Sequence, residues 1–371
     1  MLKTILAGAA AAALMATTAF ADDFKPAVVF DMGGKFDKSF NEGVWNGVKK
    51  FIDENDVEVM EFEVTNETQR EQAMRRMVRR GATVVLGVGF AQADAIDKVA
   101  ADHPDVDFSI IDVSWLDRPN LRQYAFKEHE GSYLVGVAAA MKSETGTVGF
   151  VGGMDIPLIR KFACGYVQGV METRDGATVI QNMTGTTPTA WNDPTKGAEL
   201  AQSQMDRGAD IVYHAAGGTG TGVIRAVADA DMLAIGVDSD QYALAPGNML
   251  TSMVKRVDVA AYDTLSDAMS GNFDAGVNIL GLAEDGVDWV NDDNNEELLT
   301  ADIRKAVQAA REAIIAGDIV VHNYEDDSSC PTTFEVRDMA AMSSGGITDA
   351  AIMKEVETLR DMVRQLEGMI K

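Results

Sequence analysis

Two glycine-bearing stretches hold most of the residue types that could do chemistry. Residues 217–222 read Gly-Gly-Thr-Gly-Thr-Gly, follow a β-branched run, open a helical pattern, and precede Asp238 and Asp240. That is close to a dinucleotide-binding fingerprint. With Gly218 and Gly220 as its first two glycines, however, the third position is Val223, and no Gly-Lys-Ser/Thr ending makes it a phosphate loop. The same glycines suit close approach of backbone to a ligand, with amides at a helix start as donors, and Gly217 and Gly218 stand first for that role. The second stretch, residues 31–41, runs Asp-Met-Gly-Gly-Lys-Phe-Asp-Lys-Ser-Phe-Asn. Strand-to-helix connections usually take about two to six residues, so its length predicts a binding loop rather than a plain turn. Asp31, Phe36, Asp37, Ser39 and Asn41 are its candidate contacts, and Ser39 or Asn41 could also cap the next helix.

Other chemistries find less support. His103, His129, His214 and His322 have no metal-ligand spacing, so no metal site is expected. No Gly-x-Ser-x-Gly elbow is present, and neither catalysis nor a cofactor is expected. Cys164 and Cys330 are the only cysteines, and either one long-range bridge or two buried thiols would account for them.

The elements that must position these residues alternate. Strand patterns at 27–30, 57–64, 82–89 and 108–112 are separated by helical patterns at 41–54, 67–80 and 91–102. A helix at 131–142 restarts the rhythm, followed by strands at 147–151, 177–181, 210–214 and 233–238 and helices at 159–172, 194–208 and 222–230. This predicts an α/β chain with two successive Rossmann-like halves, each a parallel sheet covered on both faces. Ligands of such sheets sit at the carboxyl ends of the strands, which adds Phe90, Asp112, Met154 and Asp238 to the candidates.

The chain has 371 residues, enough for two domains of average size, and a formal net charge of −26. That charge excludes a nucleic-acid polymer or an anionic membrane surface as partner and disfavours phosphorylated ligands. Residues 1–21 have a basic start, an Ala-rich apolar run and a small-x-small ending, which reads as a cleaved export signal. With no cysteine near the cleavage point, a freely diffusing periplasmic protein without a lipid anchor is expected. At the other end, Ile352, Val356, Leu359, Val363, Leu366 and Ile370 form a heptad stripe on a helix over 349–371. That helix would pack on its own lobe or pair two subunits into a homodimer.

Taken in order, the cleft motifs resemble the basic membrane protein family of ABC-transporter substrate-binding proteins, which includes bacterial purine nucleoside receptors. The resemblance covers about 27–325. It rests on "DMGGKFDKSFNEG" at 31, "GVGFA" at 87, "FKEHEGSYLVG" at 126, "GFVGGMDIP" at 149, "NDPTKG" at 192, "AAGGTGTGV" at 215, "IGVDSDQ" at 235 and "TSMVKRVD" at 251. It implies a type I periplasmic-binding fold: one lobe from 22–126 and 255–278, a second from 127–254 and 279–330, a ligand cleft between them, and a C-terminal extension over 331–371. It also implies a binding protein that closes on a purine nucleoside and passes it to the membrane permease of an ABC importer; a receptor for a membrane sensor, binding of another small polar solute such as a sugar or amide, and a nucleoside-processing enzyme are the rival readings. Phe36 and Trp191 would sandwich the base and Asp112 would accept from its edge. Asp238, Lys255 and Asn41 would hold the ribose, although Asp238 and Lys255 could also form a plain salt bridge. Trp191 stands where relatives commonly have Phe, and many relatives carry an N-terminal lipid-bearing cysteine that this chain lacks.

Overall fold

The computed structural model describes residues 24–330; the export signal at 1–21 and the heptad helix at 349–371, with the subunit pairing expected of it, lie outside the described residues. The first half comprises β1 (Pro26–Phe30), α1 (Phe40–Asn55), β2 (Met60–Glu63), α2 (Gln69–Arg79), β3 (Val84–Gly87), α3 (Ala93–Asp102), β4 (Asp107–Ile111) and β5 (Leu121–Phe126). The second comprises α4 (Glu128–Lys142), β6 (Thr147–Met154), α5 (Pro157–Thr173), β7 (Thr178–Gly185), α6 (Pro194–Met205), β8 (Ile211–Ala215), α7 (Gly220–Asp229), β9 (Leu233–Asp238) and β10 (Met249–Lys255). The chain then returns through α8 (Val257–Ser270) and β11 (Gly276–Leu280), and finishes with β12 (Val287–Trp289), α9 (Ala301–Ala316) and α10 (Tyr324–Asp327).

Two six-stranded sheets result, ordered β11-β5-β4-β3-β1-β2 and β12-β10-β9-β8-β6-β7. Every pairing is parallel except β12 on β10. All five residues of β1 are buried, as a central parallel strand covered on both faces requires. β4 in the first sheet and β9 in the second hold matching places, so Asp112 and Asp238 emerge at equivalent carboxyl ends. The chain passes between sheets after Phe126, at Arg256 and after Leu280.

Helix α4 is apolar on almost every side, because it packs against α5, α9, β10 and β12 at once. Its contact with α5 is made backbone to backbone. A Cβ on Gly136 would overlap the Tyr166 carbonyl, and one on Gly165 or Gly169 would overlap the carbonyls of His129 or Tyr133. The same helix begins at Glu128, three residues before the 131 suggested by pattern. Strands β5, β10, β11 and β12 and helices α8 and α9 extend the architecture beyond the predicted rhythm. Cys164 and Cys330 are joined in a disulfide with Cα atoms 5.6 Å apart, which resolves the two alternatives in favour of one bridge.

Candidate functional site

The two lobes, each a sheet with its helices, enclose a cavity between them. Residues from both lobes line it: Asp31, Asp37, Phe40, Asn41, Phe90 and Asp112 from the first, and Phe162, Trp191, Gly217, Asp238 and Lys255 from the second. Each wall has a mechanical reason.

The loop after β1 is organised by Asp37, whose carboxylate accepts from the backbone N–H groups of Ser39, Asn41 and Glu42 at 2.9, 3.0 and 3.1 Å. It thereby caps α1, the task expected of Ser39 or Asn41. The Ser39 hydroxyl is turned elsewhere and donates to the Asp238 carboxylate of the second lobe. Asn41 donates its amide to Asp37 at 3.1 Å, while its Oδ1 is buried and has no partner among the described residues, an acceptor available to a ligand. Asp31 is held by Arg70 at 3.1 Å; burial raises its carboxyl above the usual range and Arg70 pulls it back in part.

Phe36 is the clearest correction. Positive φ at Gly33, Gly34 and Lys38 turns the loop so that Phe36 is 61% exposed, edge-on to Trp45 with ring centroids 6.5 Å apart, and outside the cavity. The ring that enters instead is Phe40, four residues on, at the start of α1. Met154 and Gly218 also lie outside the lining set; Gly218 packs against the Trp191 carbonyl and Asp37. Within the glycine run only Gly217 reaches the cavity. Gly220 and Gly222 make room for the His214 ring and the Pro194 carbonyl, so they serve packing rather than ligand approach.

Trp191 is positioned by Thr219, which donates to the Ala190 carbonyl at 2.8 Å and accepts from Asp193 N–H at 2.7 Å, and its indole fills the space that a Cβ on Gly153 would take. Asp193 in turn caps α6 through Lys196 N–H.

At the floor, Lys255 ends β10 and is 3% exposed. Its ammonium is 2.6 Å from Asp112 and 2.9 Å from Glu128, beneath the rings of Phe40, Phe126 and Phe162. Glu128 also meets Lys161 at 2.8 Å, and Lys161 continues to Glu325 at 2.7 Å and the Phe126 carbonyl at 3.1 Å. The alternative of a plain Asp238–Lys255 bridge does not form: Lys255 pairs with Asp112 and Glu128, and Asp238 takes Ser39. Burial alone would drag Lys255 down, but Asp112, Glu128 and Asp238 outweigh it and hold the ammonium well above its ordinary value. Burial would raise Glu128, yet Lys161 and Lys255 bring it down to about 2. Asp238 is pushed up to about 6 by burial, with Lys255 and the Ser39 hydroxyl opposing. Asp112 and Asp238 both adopt left-handed φ, 66° and 67°, which aspartate tolerates better than most residues.

Sequence reasoning missed Phe40, Phe162, Glu128 and Lys161. A signal existed for the last two, a glutamate at the head of the mostly apolar α4 and a lysine inside the mostly apolar α5.

Such a site can hold a flat, uncharged solute by ring contact and carboxylate acceptors. Comparison with known proteins agrees in class. Residues 24–323 match the family described as Bmp, ABC transporter substrate-binding protein PnrA-like. The chain is 34% identical to a CD4+ T-cell-stimulating antigen of Listeria monocytogenes over 81% of this chain and 88% of that one. It is 31% identical to the ABC transporter nucleoside-binding protein BmpA of Lactococcus lactis over 81% and 89%. Among solved structures, a solute-binding protein of an ABC transporter system from Aeropyrum pernix superposes with a TM-score of 0.75 at 27% identity, covering 82% of this chain and 95% of that one. The architecture is thus the type I periplasmic-binding fold, and the class works with a solute and a transporter permease. One expectation is overturned by the same relatives. A protein of Pyrococcus abyssi, 33% identical over 71% of this chain and 68% of its own length, is named a lipoprotein, so freedom from a lipid anchor does not hold as inferred from the leader. With its motifs, fold and cleft all in one register, the chain belongs to the Bmp family of PnrA-like ABC transporter substrate-binding proteins.

Proposed function

We propose that the cleft takes an uncharged purine nucleoside and that lobe closure around it prepares delivery to an ABC importer. The observation that carries this reading is the chemistry of the lining. Four aromatic rings, Phe40, Phe90, Phe162 and Trp191, share one cavity with the carboxylates of Asp31, Asp37, Asp112 and Asp238. A purine offers π faces to such rings, each stacking contact being worth about 1–3 kcal/mol. Ribose hydroxyls and base N–H groups are donors, and Asp112, Asp238 and Asn41 Oδ1 are acceptors. Lys255 is the one cation among the described residues lining the cavity, and Asp112 and Glu128 already neutralise it. A phosphate would therefore enter a field of carboxylates without a free counter-charge. The nucleoside-binding name of the Lactococcus lactis relative supports the same ligand class.

Calorimetry with guanosine and guanosine monophosphate tests the proposal. Guanosine is expected to bind at least tenfold tighter; a monophosphate that binds as tightly or more tightly overturns the reading.

A further inference from the structure

Among the described residues, two hydrogen bonds link the loop after β1 to the second lobe. One is the Ser39 hydroxyl on Asp238. The other runs from Gln241 Nε2 to the carbonyl of Lys38 at 2.7 Å, and Gln241 is 3% exposed and outside the cavity lining. The second is unusually well prepared. Gln241 Oε1 accepts from Val237 N–H and from the His214 ring, both at 2.9 Å. Its own N–H donates to Ser252 Oγ at 3.1 Å. Val237 N–H can only donate and the Lys38 carbonyl can only accept, so the amide has one permitted orientation. It follows that His214 carries its proton on Nε2. Two glycines clear the space: a Cβ on Gly236 would collide with Ser252 and Gln241, and one on Gly220 with the His214 ring. Lys38 meets the amide from the left-handed region, φ 63°, at the turn that leads into α1.

We infer that Gln241 is a positioning residue for closure: held rigid by Val237, His214 and Ser252, it latches the first lobe's loop at Lys38 and closes the cleft without touching the solute. Part of the closed state's stability is then built into the protein, and release of solute requires the latch to open. A latch that acts only in the closed state slows departure and leaves arrival nearly unchanged.

The variant Gln241→Glu separates the latch from its support. A carboxylate still accepts from Val237 N–H and His214 but has no proton for the Lys38 carbonyl. With spin labels at Ser114→Cys on the first lobe and Ala243→Cys on the second, electron spin-echo distances in solute-free protein report closure directly. At pH 7.5 the unsubstituted latch is expected to show a closed population that Gln241→Glu lacks. Guanosine release, measured by stopped flow, is expected to quicken about tenfold in Gln241→Glu while association changes less than threefold, in line with one net hydrogen bond. This kinetic arm rests on the nucleoside proposal; the distance arm does not, so failure of guanosine to bind leaves the latch test intact. A folded Gln241→Glu protein, judged by its melting curve, with an unchanged closed population overturns the inference. So does absence of any closed population in the solute-free, unsubstituted protein. If Gln241→Glu fails to fold, Gln241→Ala is measured in its place, with the same two outcomes deciding.

Discussion

Replacing Lys255 by Met would remove the cation at the centre of the buried cluster while keeping the side chain's length and its contact with Phe40, Phe126 and Phe162. Three carboxylates depend on that cation: Asp112 at 2.6 Å, Glu128 at 2.9 Å, and Asp238 through its charge. Glu128 retains Lys161 at 2.8 Å, so the loss falls mainly on Asp112 and Asp238. Removing one partner of a buried ion pair typically costs about 3–5 kcal/mol, which for a protein of this size lowers the melting temperature by about 5 °C. The pH dependence carries the diagnosis. Asp112 and Asp238 are raised by burial even with Lys255 present, and without it they rise further. A carboxyl whose native pKa exceeds its unfolded value binds more protons in the native state between the two, so stability increases as pH falls through that window. Thermal melts of both proteins at pH 7.5 and pH 5 should show a deficit of about 5 °C that shrinks at the lower pH. A deficit below about 1 kcal/mol at pH 7.5, or one that is as large at pH 5, would refute the assignment of Lys255 as the neutralising centre.

Solute binding should show its own acid limb. Burial pushes Asp238 up to about 6, and a carboxylate that accepts from ligand hydroxyls binds best when ionised, so guanosine affinity is expected to fall about fivefold between pH 6 and pH 5; calorimetry showing flat affinity across that interval removes Asp238 from the contact set. Gly153→Ala places a Cβ against the Trp191 indole, and displacing one stacking ring should weaken guanosine by about 1–3 kcal/mol with only a small change in melting temperature. An affinity within twofold of the unsubstituted protein would mean that Trp191 does not stack on the ligand.

The alternation of strands and helices was legible because it is a matter of period: β1, α1, β3, α3, β4, β8 and β9 carry uninterrupted apolar or amphipathic patterns. β5 and β10 carry Arg122, Gln123, Thr251, Ser252 and Lys255 among their apolar residues, since these strands border the crossings where polar groups find buried partners, and the pattern there is broken. The carboxyl-end rule likewise placed Asp31, Asp112, Phe90, Gly217 and Asp238 at the cleft, because strand direction alone decides which loops face it.

What the sequence by itself determined, then, was the class of fold, the side of each sheet that faces the cleft, and the acidic, aromatic character of that cleft, all of which follow from local periodicity and residue type. Tertiary structure alone decided that Phe40 and not Phe36 enters, since left-handed turns at Gly33, Gly34 and Lys38 set the ring directions. It also decided that Lys255 pairs with Asp112 and Glu128 rather than Asp238, and that Asp238 and Gln241 reach across to Ser39 and Lys38. The pairings of Lys255, Asp238 and Gln241 depend on distances between residues about 130 to 200 positions apart, and a hydrogen bond weakens steeply with small changes of distance and angle, a precision that side-chain spacing along a chain does not contain.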